Sequence, residues 1–123
     1  MQSLNVVLLP GDSAIVQSLV SALSKSFRSV QTVGSVGELR TNIAKKRAGV
    51  AILDMEKASI SDVQHLSKEF PGARIVCTHR CADEELWAAT LNAGAADLCS
   101  SDDARAILHA AVNSTLTARS IAA

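Results

Sequence analysis

Two rhythms of apolar residues alternate along this chain. Five short apolar runs fall at 5–9, 29–33, 50–53, 74–78 and 97–99, and between them apolar residues return every three or four positions. Val50-Ala51-Ile52-Leu53 and Ile75-Val76-Cys77 have no polar break, as in strands covered on both faces by helices. The intervening stretches predict helices. Over 14–27, Ile15, Leu19, Leu23 and Phe27 share one face, with Ser13 placed to cap the start. Ser35-Val36-Gly37-Glu38 has the spacing of a capping box, and Lys45-Lys46-Arg47 suits the negative end of the helix it opens. Ser59 or Ser61 opens a third helix ending near Phe70, before Pro71-Gly72. Asp83-Glu84-Glu85 opens a fourth, which Gly94 closes. Ser101-Asp102-Asp103 opens a fifth, carrying Ile107, Leu108, Ala111 and Val112, and the tail after Leu116 reads as frayed helix or coil.

This alternation predicts an α/β fold, a five-stranded parallel sheet with right-handed crossovers and helices on both faces. With 123 residues, one domain spanning 1–123 is expected. Charge narrows the partners. Twelve Lys+Arg balance twelve Asp+Glu, and two Phe, one Trp and no Tyr leave no basic stripe interleaved with aromatics. Nucleic-acid binding by this domain alone is therefore not expected. No apolar run approaches a membrane span, and the first residues lack the charged flank of a secretory signal. Three cysteines, Cys77, Cys81 and Cys99, fit a reducing compartment better than a disulfide framework. A cytoplasmic protein without membrane contact is the expectation.

The most informative residue is Asp54, which closes the third apolar run. A carboxylate at the carboxyl end of a buried strand lies where open α/β sheets place their ligands. Around it, other chemistry is sparse. Neither a nucleophile–base pair, a P-loop nor a metal-binding helix can be read, and no enzyme is expected. Cys77, Cys81, Cys99 and His79 carry the atoms that hold zinc, but the spacing is loose and Cys77 belongs to the core. His65 and His109 have no acid or nucleophile paired with them. Pro10-Gly11-Asp12-Ser13 offers amides at a helix start that suit an anion, which opens a small-ligand-binding reading, although G-x-G-x-x-G is absent.

From about Asn5 to Leu116 the chain resembles the receiver domain of bacterial two-component response regulators, the CheY-like fold. The resemblance rests on element order, on Ala51-Ile52-Leu53-Asp54-Met55, on Arg74-Ile75-Val76-Cys77-Thr78 and on Ala93-Gly94-Ala95-Ala96-Asp97-Leu98. It implies strand order 2-1-3-4-5, with Asp54 matching the aspartate phosphorylated by a histidine kinase and Thr78 the hydroxyl that bonds the phosphoryl oxygens. Other positions depart from the family. The acids that help hold Mg²⁺ fall on Pro10 and Gly11, the lysine on Ser101, the proline after it on Asp102, and the aromatic switch on Leu98. The loop after Thr78 is one residue longer.

These departures remove most of what positions and neutralises a phosphoryl group. The expectation is a pseudo-receiver, working without phosphorylation and without a cofactor. It would act by protein contact or dimerisation through the face of the fourth helix, fifth strand and fifth helix, where Trp87 and Leu98 are the candidate contacts. The alternative is a working response regulator in which Asp12 and Glu56 join Asp54 as substitute Mg²⁺ ligands. A chain acting alone and one cut from a longer protein both fit this reading.

Overall fold

The computed structural model describes residues 2–12 and 14–112 of the chain, with side chains from residue 4 onward. Strands and helices alternate as β1 Gln2–Leu9, α1 Val16–Ser26, β2 Phe27–Thr32, α2 Val36–Lys46, β3 Val50–Asp54, α3 Ile60–Glu69, β4 Arg74–His79, α4 Glu84–Ala93, β5 Asp97–Ser100 and α5 Ala104–Val112. The strands form one parallel sheet in the order β2-β1-β3-β4-β5. The expected α/β architecture and strand order are thus present. Ser13 and the tail after Leu116 lie outside the described residues. Among the described residues, no helix is long and apolar enough to cross a membrane.

Strand alternation divides the core between the two faces of the sheet. Val7, Leu9, Ala51, Leu53, Ile75 and Cys77 point to one side and pack with Leu39, Ile43, Val63, Leu66 and Ala93 of α2, α3 and α4. Val6, Leu8, Val50, Ile52, Val76 and Cys99 point to the other and pack with Leu19, Leu23, Ile107 and Ala111 of α1 and α5. All five residues of β3 are buried, which explains why its sequence lacks alternation. Each buried Val, Leu or Ile contributes on the order of 1.5–3 kcal/mol of transfer free energy. The sheet centre is therefore a rigid base for whatever its carboxyl ends carry.

The helix starts follow their local chemistry. Ser35 Oγ accepts from the Glu38 N–H at 3.2 Å, and Asp83 Oδ1 accepts from the Leu86 N–H at 2.8 Å. Ser59, not Ser61, caps α3: it forms a full capping box with Asp62, whose Oδ2 accepts from the Ser59 N–H at 2.8 Å. Gly94 ends α4 at φ 115°, and a Cβ there would stand 2.1 Å from Ser67 Oγ. The turn thus needs glycine for both conformation and space.

Two boundaries differ from expectation. Helix α1 stops at Ser26, and Phe27 begins β2 with 1% exposure. Phe27 does lie in the same core cluster as Leu19 and Leu23, but it arrives there from a strand. At the other end, α1 begins only at Val16, after an N-cap at Ile15 that makes no side-chain capping bond. At the amino end of β4, Arg74 Nε and Nη1 are buried without a hydrogen-bond partner. Burial holds that guanidinium below its usual pKa.

Candidate functional site

Register decides what meets at the carboxyl edge of the sheet. Asp54 ends β3 opposite Thr78 of β4, and Thr78 in turn lies opposite Cys99 of β5. Being two residues on from Ile52 and Val76, Asp54 and Thr78 both face the α1 and α5 side. The Thr78 hydroxyl donates to Asp54 Oδ2 at 2.8 Å, and the Glu56 N–H donates to Asp54 Oδ1 at 2.9 Å. Asp54 is 1% exposed and Thr78 5%. Both carboxylate oxygens are thus engaged inside the fold. Two backbone bonds brace the strand end, from the Met55 N–H to the Thr78 carbonyl at 2.8 Å and from the Lys57 N–H to the Asp54 carbonyl at 3.0 Å.

Gly11 is the residue whose importance spacing alone does not reveal. A Cβ at this position would stand 2.5 Å from Asp54 Cγ and 2.7 Å from each carboxylate oxygen. The backbone of the β1–α1 turn therefore lies directly against the carboxylate, at a distance that only a glycine allows. What remains beneath is a cavity of about 10 Å³, walled by Leu8, Ile15, Val16, Leu19 and Ile107 and rimmed by Pro10, Gly11, Thr78 and Ser101. That is room for about one water molecule. A small-ligand pocket of several hundred Å³ is not formed at this turn. The late start of α1 is part of the same arrangement, since it brings Ile15 and Val16 inward.

Of the residues singled out from sequence, Asp54, Thr78 and Ser101 converge on this cavity, and Asp12 and Glu56 do not line it. Asp12 is exposed. The Glu56 carboxylate pairs with Arg80 at 2.8 Å, clasping the loop after β3 to the loop after β4. Arg80 escaped the sequence reading, because nothing in local spacing reports a contact between two loops on adjacent parallel strands. Among the described residues, no group of three His, Cys, Asp or Glu side chains is arranged to hold a metal ion.

Leu98 requires a correction. It is 7% exposed and packs in the core on the α2–α4 side, so it forms no surface patch with Trp87. Both central residues of β5 are buried, Leu98 on the α2–α4 side and Cys99 on the α1–α5 side, so neither reaches the surface. Trp87 does stand outside, 48% exposed on α4. Larger grooves lie away from Asp54. One of about 570 Å³ between α2 and α3 is bordered by Arg40, His65 and Glu69, and one of about 580 Å³ at the amino edge of the sheet includes Leu4 and Phe70. Arg40 is bonded to Glu69 at 2.8 Å beside the first groove.

The cysteines do not assemble. Cys77 faces the α2–α4 core and Cys99 the α1–α5 core, while Cys81 is exposed. The adjacent His79 spends its Nδ1 on the Cys81 N–H at 2.9 Å. Burial pushes the Cys77 thiol up to about 12, helped by Cys99 and Asp54; burial likewise pushes Cys99 up to about 12, helped by Asp97 and Asp103. A thiolate-directed reagent at neutral pH is expected to modify Cys81 alone in the native protein, as counted by intact mass. A second rapidly modified thiol would contradict the packing. The shifts also set an alkaline limit. An unfolded thiol ionises near its ordinary value of 9.0 and the folded ones near 12. The unfolded state therefore sheds protons first, and stability present below pH 9 falls as the pH rises toward 12.

Neither a protein-family model nor a curated protein matches this sequence. Solved structures do match. A response regulator from Thermotoga maritima superposes with a TM-score of 0.74 at 20% identity, covering 87% of this chain and 92% of that one. The receiver domain of a Francisella response regulator gives 0.74 at 13% identity, over 97% of this chain and 99% of its own. A Burkholderia pseudomallei response regulator, solved with a phosphorylated aspartic acid, a calcium ion and citrate, gives 0.77 at 16% identity, over 98% and 74%. The fold of this chain is the CheY-like, flavodoxin-like fold of response-regulator receiver domains.

Proposed function

We propose that this chain is a receiver-like signalling module of the two-component type that works without phosphorylation of Asp54, through contact with a partner protein. The observation that carries this reading is the turn at Pro10–Gly11, which lies against a buried, doubly hydrogen-bonded Asp54. A Burkholderia pseudomallei response regulator that shares this fold was solved with a phosphorylated aspartic acid. Closure at Asp54 comes from the approach of this chain's own β1–α1 turn.

The residues around Asp54 do not fit Mg²⁺. That ion takes a near-octahedral set of oxygens at about 2.0–2.1 Å and keeps several waters. Here one carboxylate faces an apolar wall and a cavity of about 10 Å³. Phosphoryl transfer depends on positioning and on neutralising the phosphoryl charge. Pro10 and Gly11 bring no carboxylate, and Ser101 brings no cation. What the arrangement does well is different: the Asp54–Thr78 bond joins the carboxyl ends of β3 and β4, and the exposed Glu56–Arg80 pair links the loops that follow them. A linked pair of loops leading into α4 suits a docking module.

The test treats the protein with Mg²⁺ and acetyl phosphate, read by intact mass, and with Mg²⁺ and beryllofluoride, read by amide NMR. No phosphoryl adduct and unshifted Asp54, Thr78 and Trp87 amides are expected. An adduct that disappears in Asp54→Asn would overturn the reading and favour a working regulator with Asp12 and Glu56 as ligands.

A further inference from the structure

We infer that the groove at the amino edge of the sheet docks an acidic amphipathic segment of a partner protein, with Leu4 as the apolar contact and Arg47 as the charge that selects it. The inference rests on the proposed contact function and puts that contact at the end of the sheet opposite Asp54. The groove holds about 580 Å³ and is lined by Leu4, Ile43, Ala48, Phe70 and Pro71, with Arg47 beside them.

Leu4 reaches the groove through an irregularity in β1. The pairing of β1 with β2 shifts register between Gln2 and Asn5, as at a β-bulge, which re-aims a side chain. Strict alternation from Val6 and Leu8 would turn Leu4 toward α1 and α5. Instead it lies with Ile43, Phe70 and Ala73 on the α2–α3 side. Its neighbour Asn5 points there too, donating from Nδ2 to the Lys46 carbonyl at 2.9 Å. Leu4 is left 42% exposed, and with Trp87 it is one of two exposed large hydrophobic residues among those described. A Cβ on Gly49 would stand 2.7 Å from Leu4 Cδ2, so the leucine rests against the backbone just before β3.

Arg47 is a second irregularity beside the first. It ends α2 at φ 50° and ψ 51°, and among the described residues it is the one other than glycine with positive φ. Glycine takes that left-handed conformation without strain, and arginine does not. Arg47 is exposed and forms no ion pair among the described residues. The other charged residue lining the groove, Glu69, has both carboxylate oxygens on Arg40. Lys45 and Lys46, in the same turn of α2, do not line it. One uncompensated positive charge thus stands beside the apolar walls, kept in a strained backbone position that the helix end itself does not require. A partner segment with a carboxylate next to apolar side chains satisfies both features. A second copy turned about a twofold axis through the groove would set Arg47 against Arg47. A bilayer surface would meet Leu4 but could not follow the groove inward to the half-buried Phe70 and Ala73.

The full chain is titrated with two amphipathic peptides of equal length, one of Glu and Leu, the other of Lys and Leu, and followed by amide NMR and calorimetry. The Glu/Leu peptide is expected to shift the Leu4, Arg47, Gly49 and Phe70 amides saturably and to leave the Trp87 amide unshifted. Its affinity is expected to fall about three-fold between about 50 mM and about 500 mM salt. The Lys/Leu peptide is expected to shift none of them. Leu4→Ser is expected to weaken binding roughly ten-fold. Arg47→Gly is expected to weaken it roughly five-fold, while its urea midpoint stays unchanged or rises because glycine relieves the left-handed turn. A purely structural Arg47 would not give that combination.

Equal response to both peptides, no response up to about millimolar peptide, or undiminished binding by Arg47→Gly would each overturn the inference. So would self-association in sedimentation that Leu4→Ser abolishes, which would assign the groove to a second copy. Flotation with vesicles of anionic lipid would assign it to a membrane. Repeating the titration with Mg²⁺ and beryllofluoride separates the two proposals. Shifts at Asp54 with Glu/Leu binding intact sink the phosphorylation-independent reading alone. An unshifted Asp54 with no peptide at the groove sinks only the groove assignment.

Discussion

Gly11→Ala is expected to destabilise the protein by about 2 kcal/mol, as overpacking a close contact does. The new methyl group would sit 2.5 Å from Asp54 Cγ, and neither party has room to move. Asp54 is held by Thr78 and by the Glu56 amide, and the turn is held by the apolar side chains of Ile15 and Val16 beneath it. Backbone conformation is not the obstacle, because Gly94 is the glycine with positive φ among those described and Gly11 is not. The sign of the effect therefore depends on residue 54. In an Asp54→Ala background the clashing atoms are gone. The same Gly11→Ala change is then expected to be neutral or stabilising by up to about 1 kcal/mol, through the lower entropy of the unfolded chain. A double-mutant cycle by urea denaturation measures the coupling. Additive effects would show that the turn does not rest on the carboxylate, and the closed-pocket reading would fall with it.

Phe27→Ala carries the larger stability cost, about 3–5 kcal/mol. Its side chain is among the largest that are fully buried, at 1% exposure, and shares a cluster with Leu19, Leu23 and Val6. Domains of this size are stable by only about 5–15 kcal/mol, so the variant is expected to lose a large share of its stability. Chemical denaturation at constant m-value reads the loss. Phe27→Leu, which keeps most of the volume, is expected to retain more than half of it. A cost below about 1 kcal/mol for the alanine variant would mean that Phe27 is not packed in this core.

Phe27 shows how far periodicity reaches. Ile15, Leu19, Leu23 and Phe27 all belong beside the same sheet face, and the pattern reports that correctly. Which backbone carries Phe27 is a separate matter. The residue sits where a helical stripe and a strand start coincide, and pairing of Gln2 with Phe27 across β1 and β2 claims it for the sheet. Cap chemistry, in contrast, is local. Ser35, Ser59, Asp83 and Gly94 act where they stand in the chain, so the starts of α2 and α4 were readable within a residue, and that of α3 within two, between Ser59 and Ser61.

The site divides in the same way. That Asp54 and Thr78 meet on neighbouring strands is what the resemblance implies, and their 2.8 Å bond confirms the meeting. The missing acids at Pro10 and Gly11 and the missing lysine at Ser101 were equally plain. Three features were not. Gly11 lying on the carboxylate, Arg80 drawing Glu56 away, and Leu98 turning inward all involve residues brought together by loops and register, not by spacing.

The sequence by itself determined the α/β alternation, the strand order through its resemblance, the buried β3, most helix caps and the position of Asp54. These depend on hydrophobic period and on bonds within a few residues, which each segment carries wherever it folds. Only the tertiary structure decided whether the space around Asp54 is open. That space is set by the packing of the β1–α1 turn, α1 and α5 against the sheet edge, where displacements of an ångström separate a ligand site from a cavity for a single water.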